Sequence, residues 1–179
     1  SFRKNYEVGV DTFYKSHGSG YRNPHAPILK RVLRTMLKKW NNRISFHKTL
    51  DLACGSGEAT ECLHSWFQEN GVNVSIGCFH ELSEEEFDKN TVYIEGSDPY
   101  TFEAYEERMK APAATFSFED IEGGCLEGRH FNIIISSYAM HLIDVSRLYS
   151  TCQQLALCSD HLIIIAPTKT PEISPTLGW

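Results

Sequence analysis

No apolar run in this chain approaches the ~20 residues that would span a bilayer. The opening Ser1-Phe-Arg-Lys-Asn-Tyr6 leads into polar sequence, not into the apolar core of a signal peptide. Neither a membrane span nor export is therefore expected. No close Cys-x-x-Cys pair occurs among Cys54, Cys62, Cys78, Cys125, Cys152 and Cys158. They sit among apolar residues, as reduced core cysteines of a cytoplasmic protein do. That spacing offers no structural zinc site. His47, His64, His80, His130 and His161 show no ligand spacing either, so no metal is expected. Internal repeats and low-complexity segments are missing as well, which excludes solenoid and disordered architectures. Acids are scarce at one end. Residues 1–48 carry 11 of the 17 Lys and Arg but only Glu7 and Asp11, a net +9, while the remainder nets −15. This segregation reads either as a basic helix covering an acidic domain or as a surface for an anionic partner.

What is present suffices for one folded domain: 179 residues, 41% hydrophobic and 22% charged, can bury a full core. From Pro27 to Trp40, Ile28, Leu29, Val32, Leu33, Met36, Leu37 and Trp40 fall at helical spacing on one face. Lys30, Arg31, Arg34, Lys38 and Lys39 take the other. Beyond this basic amphipathic helix, short apolar runs alternate with helical patterns. Strands are expected at Thr49–Ala53, Thr91–Gly96, Thr115–Phe118, Phe131–Ser136 and His161–Ala166. Helices are expected at Ala59–Gln68, Thr101–Lys110 and Val145–Cys158. β-Branched runs such as Ile133-Ile134-Ile135 imply strands covered on both faces, hence a mostly parallel sheet flanked by helices. Right-handed crossovers then give a doubly wound, Rossmann-like α/β fold. The acidic segment 73–90 reads as an insertion holding an extra strand, Val74–Phe79, and a short helix.

The strongest chemical signal is Thr49-Leu-Asp-Leu-Ala-Cys-Gly-Ser-Gly-Glu-Ala-Thr60 at the first strand-to-helix junction. Gly55 and Gly57 let the backbone turn tightly and approach a ligand. In open α/β sheets, such crevices at the carboxyl ends of strands bind ligands. A dinucleotide fingerprint wants a third glycine where Thr60 stands. Asp51, at the strand's end, would repel a diphosphate but attract a cationic amino group. A nicotinamide-dependent oxidoreductase is therefore the weaker reading.

Leu50-Asp51-Leu52-Ala53-Cys54-Gly55-Ser56-Gly57 resembles motif I of class I S-adenosylmethionine-dependent methyltransferases, with Ala53 where the family usually has glycine. The resemblance implies that Asp51 and the Ala53–Gly57 backbone surround the donor's methionine portion. Gly96-Ser97-Asp98 is similar to motif II, which implies Asp98 as the ribose ligand and Pro99 or Tyr100 on adenine. Asp98 lies 41 residues after Gly57, where ~20 is usual; the insertion accounts for the excess. Thr115-Phe-Ser-Phe-Glu-Asp120-Ile121 resembles the adenine-reading segment. It implies Asp120 or Glu119 as acceptor of the exocyclic amine, with the Ile121 N–H facing the ring. Ile135-Ser-Ser-Tyr-Ala-Met-His141 ends the fourth strand, beside the family's sulfonium and acceptor. Ser136, Ser137, Tyr138 and His141 are thus active-site candidates, with His141 best placed as a base. These four stations cover roughly 49–167.

The implied layout is a single methyltransferase domain: an N-terminal lid and basic helix (1–48), a donor-binding core (49–167) with the acidic insertion (73–90), and a tail (168–179). The lid centres on Tyr14-Lys-Ser-His-Gly-Ser-Gly-Tyr21-Arg22-Asn-Pro-His25, in which Tyr21 and Arg22 are candidate donor ligands. Arg22 can pair with a carboxylate. The alternative is a segment merely packed on the sheet. The family's two C-terminal antiparallel strands are not visible in the sequence. S-Adenosylmethionine is the expected cofactor and S-adenosylhomocysteine its product. The acceptor stays open between a small molecule, narrowly favoured, and tRNA or other RNA, which the basic helix would suit. A non-catalytic donor-binding or scaffolding subunit is the alternative from another class.

Overall fold

The computed structural model describes residues 20–177. Five strands, β1 (Lys48–Leu52), β2 (Asn73–Ile76), β3 (Thr91–Ser97), β4 (Ile133–Ser137) and β5 (Leu162–Ile165), form one sheet in the order β2-β3-β1-β4-β5. Every pairing is parallel. Helices α1 (Ala26–Trp40), α2 (Glu58–Glu69), α3 (Phe102–Met109), α4 (Phe118–Glu122) and α5 (Val145–Cys158) flank it. This is the Rossmann-like, doubly wound architecture expected from the isoleucine-rich runs. Among the described residues no strand follows β5; the tail makes a 3₁₀ turn at Pro175–Leu177.

Alternation along each strand feeds two cores. Ile94, Ile133 and Ile135 point to one face, where Leu29, Leu33 and Leu37 of α1 pack with Ala59, Leu63 and Phe67 of α2. Leu50, Leu52 and Ile134 point to the other, against Ile121, Leu148, Cys152 and Leu155. Of the apolar set expected on one face of α1, Ile28 and Val32 turn outward, at 46% and 41% exposure. One sheet face accepts only the central ridge of that helix.

Two expectations change. Thr115–Phe118 forms no strand: an isolated bridge from Ser97 to Ala114, just before it, and a hydrogen bond from the Ser97 hydroxyl to the Phe116 carbonyl join the chain here to the sheet. The place beside β3 is taken by β2, which pairs with Thr91–Ile94. Local chemistry then turns the chain into α4. Ser117 Oγ accepts the Asp120 N–H, and the Asp120 carboxylate accepts the Ser117 N–H, a reciprocal cap. The acidic segment, in turn, supplies an integral edge strand, not an appendage. Its extra strand is shorter than expected, and its only helical piece is a 3₁₀ turn, Glu84–Glu86.

From β1 the chain winds first towards β2 and β3, then crosses to β4 and β5. The direction of winding therefore reverses beside β1, and a crevice opens there at the strands' carboxyl ends. The ends are level: Leu52 lies opposite both Ser97 and Ser136.

Candidate functional site

A cavity of about 260 Å³ occupies this crevice. Its floor is the turn after β1, where three residues take left-handed backbone angles: Ala53 (φ 55°), Gly55 (φ 59°) and Gly57 (φ 86°). The turn is tied to the end of β3 from both directions. Gly55 N–H donates to Asp98 Oδ2 at 3.2 Å, and the Thr101 hydroxyl donates to the Gly55 carbonyl at 3.0 Å. Asp98 Oδ1 accepts the N–H groups of Tyr100 and Thr101, each at 2.9 Å. One carboxylate thus holds the glycine turn and starts α3, while its Oδ2 keeps acceptor capacity beyond the Gly55 bond.

Above the turn lies the chain that leads into α1. Tyr21 covers Gly55 so closely that a Cβ there would come within 2.9 Å of its ring. The Asn23 N–H donates to Glu58 Oε1 at 3.0 Å. The His25 ring stacks on Tyr138, centroids 5.2 Å apart and 16° from parallel. Tyr138, itself left-handed at φ 58°, ends β4 on the cavity wall. This segment roofs the crevice from Gly55 to Tyr138. Of the expected lid, Tyr14 to Ser19 lie outside the described residues.

The expected site residues divide into two groups. Ala53, Gly55, Asp98, Pro99, Tyr100, Glu119, Tyr21, Ser137 and Tyr138 line the cavity. Asp51, Gly57, Asp120, Ile121, Ser136, Arg22 and His141 do not, and each has a physical reason. Asp51 is fully buried, and its Oδ2 accepts the Thr60 N–H at 3.0 Å and the Thr60 hydroxyl at 2.7 Å, anchoring α2. Its Oδ1 has no hydrogen-bond partner among the described residues, and burial pushes the carboxyl up to about 7 against the pull of Thr60. Gly57 faces α3, where a Cβ would come within 2.8 Å of Met109. The Asp120 carboxylate is used in the cap on Ser117. The Ile121 N–H bonds the Ser117 carbonyl, and its side chain is core. Ser136 is fully buried beneath the wall. Arg22 is exposed and bonds the carbonyl of its neighbour Tyr21. His141 sits in the one-turn helix Met140–Leu142 with its Nδ1 buried and without a partner among the described residues, and burial lowers its pKa.

Other wall residues escaped the sequence reading: Thr101, Phe116, Phe118, Leu142, Ile143, Asp144 and Arg147. Asp144 did carry a signal, because an Asp just before a helical pattern is a cap; its carboxylate accepts the Ser146 N–H. Arg147 pairs with Glu119 of the wall and, at 2.6 Å, with Glu122, and so straps α4 to α5. Glu58 had no signal. Buried at the turn, it accepts from the Ser56 hydroxyl at 2.6 Å and pairs with Arg108 at 3.2 Å. The cavity therefore offers an acid beside a backbone cradle, aromatic surfaces at Tyr100, Phe116 and Phe118, and an apolar end at Leu142 and Ile143. Among the described residues no three His, Cys, Asp or Glu side chains are grouped to hold a metal, and no helix is long and apolar enough to cross a membrane.

No protein-family model matches the chain. A relative, the uncharacterized protein C17A5.05c of Schizosaccharomyces pombe, is 35% identical over the whole chain and 79% of its own length. Among solved structures, magnesium protoporphyrin IX methyltransferase from Synechocystis PCC 6803 is similar with S-adenosylhomocysteine bound. That match has TM-score 0.52, 14% identity, 91% of this chain and 69% of that one. The same enzyme with S-adenosylmethionine bound matches at TM-score 0.51 and 16% identity, over 94% of this chain and 76% of that one. An S-adenosylmethionine-dependent methyltransferase from Clostridium acetobutylicum matches at TM-score 0.52 and 15% identity. It covers 89% of this chain, which spans only 57% of that chain's length. The protein thus belongs to the same family as the fission-yeast protein and has the fold of the class I S-adenosylmethionine-dependent methyltransferases.

Proposed function

We propose that the chain binds S-adenosylmethionine in the crevice beside β1 and transfers its methyl group to a small-molecule acceptor. The observation that carries this reading is the 3.2 Å bond from the Gly55 N–H to Asp98, which joins the glycine turn and the second-station acid on one cavity wall. The residues suit the donor. The Oδ2 of Asp98 retains lone pairs for ribose hydroxyls, and Tyr100, Phe116 and Phe118 offer flat surfaces to a purine. The Ala53–Gly55 backbone and Tyr21 enclose the end where an amino-acid portion fits. Asp51 acts one layer below, setting the start of α2 through Thr60.

Bound there, the donor brings an activated methyl group on a sulfonium. The protein's part is positioning, with reacting atoms brought to ~3–3.5 Å. Tyr138 and Ser137 stand at the end of β4, where an acceptor would face that group, and the His25 ring stacks over Tyr138. His141 lies off the wall, so no histidine base is assigned. The six cysteines are all free, which supports a reducing compartment such as the cytoplasm.

Calorimetry with S-adenosylmethionine and S-adenosylhomocysteine tests the reading. Wild type should bind both, and Asp98→Asn should bind at least tenfold more weakly. No heat with either ligand would sink it. Binding without methyl transfer from labelled donor to any acceptor tried would favour the scaffold alternative. A second reading, an RNA acceptor, rests on Lys30, Arg31, Lys38 and Lys39 of α1, which are exposed and form no ion pair with a described residue. RNA affinity that falls steeply between 50 and 200 mM salt, as neutralising several phosphates requires, would support it.

A further inference from the structure

The wall beyond Tyr138 bears on which acceptors can enter. Ala139, Leu142 and Ile143 make it apolar, and Asp144 closes it. Asp144 caps α5: its Oδ1 accepts the Ser146 N–H at 2.8 Å and the Ser146 hydroxyl at 2.5 Å. Among the described residues no donor reaches its Oδ2. These bonds, with the Arg147 charge nearby, hold the carboxyl below its ordinary range.

The other charges on the wall are already engaged. Asp98 takes three N–H groups and, in the reading above, gives its remaining lone pairs to the donor's ribose. Arg147, the single Arg or Lys among the described wall residues, is shared between Glu119 and Glu122 and also lies near enough to Asp144 to favour its ionised form. Asp144 is left as the charge that an incoming molecule meets. The start of α5 contributes roughly half a positive elementary charge, less than the full negative charge of the carboxylate that caps it. An anionic group at this end of the cavity would thus face net repulsion, and a cationic one net attraction, both moderated by water because Asp144 is exposed.

Resting on the methyl-donor reading above, we propose that the acceptor is a small apolar or aromatic molecule carrying a protonated amine, which Asp144 recognises at the mouth of the cavity. The amine is the handle by which the molecule is held; Leu142 and Ile143 cover its apolar frame. Asp144 is thereby a specificity-determining residue. An acceptor presenting phosphate or carboxylate at this point is disfavoured, which weighs against an RNA backbone entering here.

The test uses the full chain saturated with S-adenosylhomocysteine, with phenethylamine and 3-phenylpropanoate as probes of similar frame and opposite charge. Wild type should bind the amine at least tenfold more tightly than the carboxylate. Asp144→Asn should reduce that preference to near unity, and Asp144→Lys should reverse it. Asparagine caps helices about as well as aspartate, so the first variant keeps the start of α5. Equal or tighter binding of the carboxylate by wild type, or no binding of either probe, overturns the proposal. Failure of S-adenosylhomocysteine itself to bind is a separate reading: it sinks the donor site and this inference with it.

Discussion

Ala53 holds φ 55° with a Cβ in place, a conformation that costs an L-residue about 1–2 kcal/mol relative to right-handed backbone. Glycine avoids that cost but loses more chain entropy on folding, by ~0.4–1 kcal/mol. Ala53→Gly should therefore stabilise the protein by roughly 0.5–1 kcal/mol, seen as a raised midpoint in urea with an unchanged slope. A lowered midpoint would mean that the alanine methyl group contributes packing worth more than the strain. Asp51 makes a pH prediction. Its carboxyl sits at about 7 in the fold because it is buried, against ~3.9 when unfolded. Between these values the folded state holds the extra proton. The stability contributed by Asp51 is thus complete below pH 4 and is lost as pH rises to about 7. The difference in unfolding free energy between wild type and Asp51→Asn, followed from pH 4 to 8, should shift against wild type across that window and level off above it. A flat difference would place the carboxyl in its ordinary range.

Among elements, the decisive contact is between β3 and α3. Gly96 of β3 leaves room for the fully buried Tyr105 of α3; a Cβ at Gly96 would stand 2.5 Å from that ring. The Tyr105 hydroxyl donates to Thr60 Oγ1 at 3.3 Å, and Thr60 in turn holds Asp51. Helix α3 is thus coupled through one side chain to the start of α2. Gly96→Ala should cost about 1–3 kcal/mol, the usual range for overpacking. Adding Tyr105→Leu should recover part of that loss, because the obstructing ring is gone. Thermal unfolding of the single and double variants measures the coupling, and simple additivity would mean that the two residues do not compete for space. Element boundaries were legible where local signals agreed. Val145–Cys158 is the helix its spacing predicts, and Ile133–Ile135 is covered on both faces, as its β-branched run requires. Thr115–Phe118 misled because its β propensity competes with the Ser117–Asp120 cap, and the sheet edge that would have favoured a strand was already occupied.

For the whole molecule, one sheet serves two cores, so the faces should unfold together. Leu33 of α1 and Leu155 of α5 are both fully buried, on opposite sides. Leu33→Ala and Leu155→Ala should each cost about 2–5 kcal/mol. With the sheet between them, the double variant should match their sum within about 0.5 kcal/mol. Two separate transitions in a single variant, one for each face, would contradict a shared sheet.

The order of the motifs along the chain was enough to determine the fold class and the general location of the cavity. Apolar periodicity says which faces are covered, and a glycine turn after a buried strand says where backbone is exposed. It also placed Asp98, because an acid ending a strand next to β1 has little choice of position. Only the tertiary structure decided which carboxylates face the cavity. Asp51 and Asp120 look equally available in sequence, yet Thr60 and Ser117 engage them first. It also brought in Asp144 and Arg147, which the linear pattern did not single out, and set His25 of the expected lid on Tyr138. The physical reason is that hydrogen-bond competition and strand order are settled by what else is within reach in three dimensions, and a linear pattern carries no record of those neighbours.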